Sequence, residues 1–333
     1  MESVLGVIAS LLLGFVPIFC FAYVVYWTDR YEKEPLVLLV GVFLWGVVVA
    51  AGGAFVINTI LGIGVLLATG SEIATELATG ILIAPVVEEC LKGFAVLVVF
   101  LLFRSEFDSI LDGIVYAAIA ALGFAAVENS YYIFSMGYAE QGWAGLIWLA
   151  FVRVVLVGWQ HPFYTAFTGI GLAVGRLNRH IVIKLAAPVA GLLTAMLAHA
   201  LHNTLAGILP GLPGLAFGTL LDWSGWLAMV AFVGWAMYRE QRWIIRHLRE
   251  EVNLGVISPD QYRTACSAWR QTFVRLQALF SGRFGATHRF YQVTAELAFK
   301  KEQLATLGNE SNNLALVQRY RSELSRLGAL ALA

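Results

Sequence analysis

Long apolar runs alternate with short polar interruptions through the first 238 residues of the 333-residue chain. The runs fall at roughly 4–27, 36–66, 80–103, 110–136, 143–177, 182–206 and 213–238. An α-helix rises about 1.5 Å per residue, so about 20 apolar residues cross the hydrocarbon layer. The pattern predicts an all-α polytopic transmembrane helix bundle of about seven spans. Two runs exceed one straight crossing. Run 36–66 can tilt or break near Gly52 and Gly53, and run 143–177 is interrupted by Arg153, Gln160, His161 and Pro162. Residues 143–152, with Trp143 and Trp148, read as an interfacial lead-in, and the crossing then runs from about 153 to 176.

Beyond residue 238 the apolar positions keep helical spacing but sit in a polar background. Ser258, Pro259 and Asp260 form a helix start, as N-cap, first helical residue and first-turn acid. The periodicity continues to Phe280, and Gly282 and Gly285 mark a break. The stretches 289–308 and 312–330 predict two further helices. The expected organisation is a membrane core over 1–238 and a helical domain over 239–333.

Composition narrows the class. Hydrophobic residues make up 59% of the chain and charged residues 13%, against about 25% charged in soluble domains. Mean hydropathy is +0.75, so a single soluble core is excluded. The zero net charge hides an asymmetry: residues 239–333 hold 14 of the 22 Lys+Arg but 8 of the 22 Asp+Glu. Loops 28–35, 104–109 and 177–181, with Arg30, Lys33, Arg104 and Arg179, fall on the same side as this basic tail. Loops near 67–79, 137–142 and 207–212 contain no Lys or Arg. The positive-inside rule then puts the tail in the cytoplasm and the N-terminus outside. The tail carries no nucleic-acid motif, and no nucleic-acid partner is expected. Cys20, Cys90 and Cys266 lack CxxC spacing and imply no disulfide framework. The stretch MESVLGVIAS has no basic leader, so it reads as an uncleaved first span.

Candidate chemistry lies inside the spans. Glu88 and Glu89 stand i,i+4 and i,i+3 from Lys92, so all three share or nearly share one helix face. Ionisable groups at membrane depth face a bundle interior or wet cavity and mark function. Glu128 in GFAAVENSYYIF, His161 in GWQHPFYTAFTGIG and His199 in LAHALHNTL fall at a similar depth, about 12 Å below the outer ends of their spans. An ion pair locking two helices would account for one Glu beside Lys92, but it leaves the second without a local counter-ion. Glu128 and Asn129 read equally as an interhelical clasp, and His161 beside Pro162 as a packed bundle histidine. His199 and Asn203 share a face, with His202 turned off it. A His and an Asn on one face suit metal binding or oxyanion support. Together these groups are the inventory of a water-activating site.

The motifs carry a resemblance. YWTDRYEKEP at 26–35, Glu88-Glu89-Cys90-Leu91-Lys92 as EExxK, GFAAVEN at 123–129, HPFYTAFTGIGLA at 161–173 and His199-x-x-x-Asn203 occur in the order found in the PrsW family of intramembrane proteases. That family is similar in turn to CAAX-type and bacteriocin-processing membrane proteases. The resemblance covers about residues 20–206 and leaves out the basic tail. It implies hydrolysis of a peptide bond in a membrane-anchored protein, as in first-step cleavage of an anti-sigma factor at a bacterial plasma membrane. Family members have been viewed as metallopeptidases and as metal-independent glutamate proteases. The chain lacks HExxH, which excludes a zincin arrangement.

On this reading Glu88 or Glu89 is the general base, and Lys92 sets the charge of the pair. His161 and His199 either bind zinc together with Glu128 or act without metal. In the metal-free version His161 orients water and His199 with Asn203 supports the oxyanion. The lipid bilayer and a membrane-anchored protein are the expected partners. A proton-coupled transporter would use similar buried Glu and His, but carriers usually show internal repeats, and EExxK and GFAAVEN occur once each. A non-catalytic scaffold with a working tail is the other rival. The charge pattern makes a direct forecast. A reporter fused at residue 300 should read as cytoplasmic, and an extracytoplasmic signal there would invert the assignment.

Overall fold

In the computed structural model, which describes residues 2–208, 211–309 and 312–332, every regular element is helical. The chain forms two compact units. The first takes the chain as far as Trp27, then Pro35–Arg176 and Ile181–Ala231. The second takes Thr28–Glu34, Leu177–His180 and the chain from Phe232 onward.

The first unit begins with α1 (Glu2–Thr28). Next come α2 (Leu36–Trp45) and α3 (Ala51–Thr69), joined through wide π-type turns at Gly46–Ala50. α4 (Glu72–Ala78) passes through similar turns at Thr79–Ile83 into α5 (Ala84–Leu102). α6 (Ile110–Tyr132) continues as Ile133–Tyr138, and α7 (Ala139–Ala150) continues as Phe151–Leu156. α8 (Gln160–Arg176) and α9 (Ile181–Ile208) follow, and α10 (Gly211–Asn253) leaves the unit for the second one. Part of the expected 207–212 loop lies outside the described residues.

Among the described residues, five stretches are long and apolar enough to cross a membrane, against the seven runs read from the pattern. The difference has two sources. α5 carries Glu88, Glu89 and Lys92 and is too charged to qualify, and Ile110–Arg176 counts once although it contains three helices. The lead-in expected at 143–152 is also revised. Gly142 adopts φ +64, a left-handed conformation that glycine reaches without Cβ strain. α7 then folds back against Ile133–Tyr138, where Gly145 and Gly137 meet backbone to backbone. The helix ends at Val157, and α8 starts at Gln160 instead of about 153. Pro162 falls in the first turn of α8, where no helical N–H is lost.

α6 is the centre of the unit. Every residue from Ile110 to Ala126 is buried. Its start is fixed by a capping box: Ser109 accepts from the N–H groups of Leu111 and Asp112, and Asp112 accepts from the Ser109 N–H at 2.7 Å. Small residues let backbones touch along it. A Cβ at Gly169 of α8 would lie 1.9 Å from the Gly113 carbonyl oxygen, and one at Gly123 would lie 2.1 Å from that of Phe43.

The second unit contains α11 (Pro259–Ala265), α12 (Ala268–Phe280), α13 (Phe284–Leu307) and α14 (Asn313–Leu327). Ser258 caps α11 as the sequence predicts, in a reciprocal box with Gln261. The helix expected from 258 to 280 divides at Cys266 and Ser267, where Ser267 caps α12. Phe290, Tyr291, Leu297 and Phe299 of α13 form the core with Ile244 and Leu248. The buried Glu251 is held by Lys301 at 2.5 Å and Arg321 at 2.8 Å.

The α6–α8 crossing generates a test. Gly169→Ala forces two backbones apart and should destabilise by about 1–3 kcal/mol, read as a lower thermal midpoint in detergent. Gly52→Ala, with nothing within 4 Å of its added Cβ, is the matched control. Equal midpoints for both variants would contradict the crossing.

Candidate active site

Four helices converge on one buried cluster. α5 supplies Glu88, Glu89 and Lys92, α6 supplies Glu128, α8 supplies His161 and Thr165, and α9 supplies His199. Glu89 is fully buried, and both of its oxygens are engaged. It takes the Lys92 ammonium at 2.6 Å, the Thr165 hydroxyl at 2.8 Å and His199 Nδ1 at 3.0 Å. A carboxylate can only accept, so His199 carries its proton on Nδ1 and presents a lone pair at Nε2. That nitrogen faces Glu88 Oε2 at 3.9 Å. Glu88 Oε2 is buried and has no hydrogen-bond partner.

The Lys92 ammonium also donates to His161 Nδ1 at 3.1 Å and rests 4.5 Å from the Phe124 ring centre. His161 therefore carries its proton on Nε2 and gives it to Glu128 at 2.8 Å. Glu128 is paired with Arg153, which also donates to Asn129 Oδ1 at 2.9 Å and stacks on Tyr132. One donor atom each from Glu88, His161 and His199 lies within 4.8 Å of the others. Glu88, Glu128, His161 and His199 line a cavity of about 1010 Å³, walled mainly by apolar residues of α3 and α6.

The residues expected from sequence thus come together, but their parts differ. Glu88, rather than Glu128, stands with the two imidazoles as the donor trio. Glu89 does not line the cavity, and three donors already engage its two oxygens. Asn203 lines the cavity but donates its amide to the Gly80 carbonyl at 2.8 Å. That carbonyl lies in the wide turns before α5, so Asn203 ties α9 to the approach of the Glu-bearing helix.

Several residues were not singled out as site members. Arg153 reaches Glu128 because α7 folds back. His202 also lines the cavity: its Nδ1 lies 2.9 Å from Asp222 of α10, and Gln160 donates to the same Asp222 oxygen at 2.8 Å. Tyr164 stacks on His199 at 5.0 Å, with its hydroxyl buried and unbonded. Arg153 and Asp222 each had a signal, as lone charges inside apolar runs. Tyr164 and Thr165 had only their helical spacing from His161.

The fold and site define a class: a polytopic all-α membrane protein with a carboxylate–imidazole cluster opening into an intramembrane cavity. Residues 34–236 match the family described as PrsW family intramembrane metalloprotease, and the chain belongs to that family. It is similar to the proteins named Protease PrsW of Geobacillus kaustophilus (strain HTA426), Clostridioides difficile (strain 630) and Bacillus subtilis (strain 168). The first is 33% identical over 144 residues, 43% of this chain and 56% of that protein. The second is 34% identical over 125 residues, 37% and 50% of the two lengths. The third is 31% identical over 153 residues, 46% and 62%. The matched part is therefore less than two thirds of each relative. No solved structure matches the chain.

The Glu89–Lys92 pair is the stability test. Removing one partner of a buried pair leaves the other uncompensated and costs about 3–5 kcal/mol. Lys92→Met should lower the detergent thermal midpoint sharply, and adding Glu89→Gln should recover part of the loss. An unchanged midpoint in Lys92→Met would show that the pair does not hold the bundle.

Proposed function

We propose that the chain is an intramembrane endopeptidase that hydrolyses a peptide bond in a membrane-anchored protein, with a metal ion held by Glu88, His161 and His199. The observation that carries this reading is the unbonded, buried Glu88 Oε2 facing the lone-pair nitrogen of His199. Two imidazoles and one carboxylate, with a cavity beside them, fit the three-ligand set of a catalytic zinc site. The Glu89 bond to His199 Nδ1 supplies the carboxylate that orients a ligating histidine. When bound, the ion would polarise the scissile carbonyl and lower the energy needed to form hydroxide.

The chain's own groups handle the protons. With His161 as a ligand, its Nε2 proton would pass to Glu128, 2.8 Å away, and on to cavity water. His161 Nδ1 then shares the Lys92 proton. Glu128, held by Arg153, takes a proton from the attacking water and returns it to the leaving amine. This exchanges the roles read from sequence: Glu128 becomes the base and Glu88 the ligand. The charge pattern supports a cytoplasmic C-terminus and a site in the outer half of a bacterial plasma membrane. That position suits first-step cleavage of a substrate such as a membrane-anchored anti-sigma factor.

A second, metal-free reading rests on Lys92. Its ammonium already stands beside Glu89, His161 and Glu88, where it supplies positive charge. Glu88 would then activate the water directly.

Cleavage of a membrane-anchored peptide by purified protein in proteoliposomes separates the two. On the metal reading, Glu88→Gln, His161→Ala and His199→Ala lose both metal and activity. Glu89→Gln weakens metal affinity by about 10–100-fold. Glu128→Gln keeps the metal but loses about 100-fold or more in rate. Full activity after exhaustive chelation would overturn the metal reading and leave the second. Near-normal cleavage by all five variants would overturn both.

A further inference from the structure

α12 turns one apolar face toward its own unit and a second one away from it. Gln271, Val274 and Ala278 pack inward. Trp269, Phe273, Leu276 and Phe280 recur at i, i+4, i+7 and i+11 and are 65, 67, 52 and 85% exposed. Helical spacing puts these four in a stripe about 60° wide, directly across from the buried residues. Scattered exposed apolar residues are ordinary, whereas a contiguous row of this kind marks an interaction site. Exposed Arg270 and Arg283 flank the row.

A second observation indicates what covers it. The unit that holds α12 also contains Thr28–Glu34. This segment joins α1 to the Leu36–Thr69 run, both apolar enough to cross a membrane. Arg30, two residues past the end of α1, stacks 5.3 Å from the Trp269 ring centre. Tyr31 is buried in the core of the same unit. The start of the apolar row is therefore pinned to a segment with a membrane span at each end. Cationic groups crowd there as well. Lys33 is pushed down to about 8, first by burial; Asp29 opposes the fall, and Arg275 and Arg30 add to it. An apolar row rich in Trp and Phe, bordered by Arg, matches the acyl–headgroup boundary of a bilayer with anionic lipid.

We propose that α12 is an interfacial helix lying in the surface of the membrane that the chain's own spans cross. Trp269, Phe273, Leu276 and Phe280 enter the acyl boundary, and Arg30, Arg270 and Arg283 meet anionic phospholipid headgroups. The proposal does not depend on the catalytic reading.

The test uses the full chain in nanodiscs, with a single nitroxide at position 273, 280 or, as control, the exposed Gln277 off the stripe. Two lipid compositions are compared, one containing phosphatidylglycerol and one of phosphatidylcholine alone. Relaxation by oxygen should exceed relaxation by an aqueous nickel chelate at 273 and 280, and the order should reverse at 277. The depth at 273 and 280 should decrease in the neutral lipid. Aqueous relaxation at 273 and 280 in both lipids would overturn the proposal. So would spin–spin broadening between copies without lipid exposure, which assigns the row to a second copy of the chain. Equal depth in both lipids would overturn the headgroup assignment. A photoactivatable phospholipid applied to the unlabelled chain checks that the probes do not create the effect: adducts should map to residues 268–284, and their absence there would count against the helix lying in lipid.

Discussion

Burial of the Glu89 carboxylate is the constraint around which the membrane unit is organised. A charge deep in an apolar bundle is tolerable only when it is paired and hydrogen-bonded. Glu89 meets both conditions with Lys92, Thr165 and His199. These partners come from α5, α8 and α9, so satisfying one carboxylate fixes three helices in register. The same bonds set the His199 tautomer and fix its free nitrogen opposite Glu88. Structure and chemistry thus draw on one group of contacts. Glu88 differs from its neighbour: one of its oxygens is buried without a hydrogen-bond partner, an arrangement that a structural role alone does not explain.

The surrounding bundle makes this cluster possible by close approach. Glycine-to-backbone contacts along α6 and α8 bring Glu128 and His161 to hydrogen-bonding distance. The wide turns at Thr79–Ile83 give the approach to α5 a carbonyl that Asn203 can reach. The turn at Gly142 sends α7 back so that Arg153 meets Glu128. The π-type turns at Thr79–Ile83 and Phe151–Leu156 carry the Gly80 carbonyl and Arg153, and turns of this type are frequent at functional sites.

Much of this was legible in the sequence, because membrane burial makes polar residues conspicuous. Glu88, Glu89, Lys92, Glu128, His161 and His199 stood out as ionisable groups inside apolar runs. The Ser258 cap was legible from its side-chain chemistry. What could not be read was direction. Spacing along one helix shows that Glu88 and Glu89 are near Lys92, but not which carboxylate Lys92 engages. That is decided by Thr165 and His199 on other helices. Gly142 fell in the expected 137–142 loop, but the helix that follows it and the break between Val157 and Gln160 were hidden inside a run apolar enough to pass for a lead-in and one crossing. His202 was judged from its own helix, while its partner Asp222 arrives from α10.

The central claim is that Glu88, His161 and His199 form a metal-binding trio oriented by Glu89. X-ray absorption at the zinc edge, on active purified protein with one equivalent of zinc, tests it most directly. The expected spectrum has a first shell at about 2.0–2.1 Å with scattering from two imidazoles and from oxygen. One imidazole should be lost in either His161→Ala or His199→Ala, and the shell should be retained in Glu128→Gln. A shell without imidazole, or one unchanged by both histidine substitutions, would contradict the account.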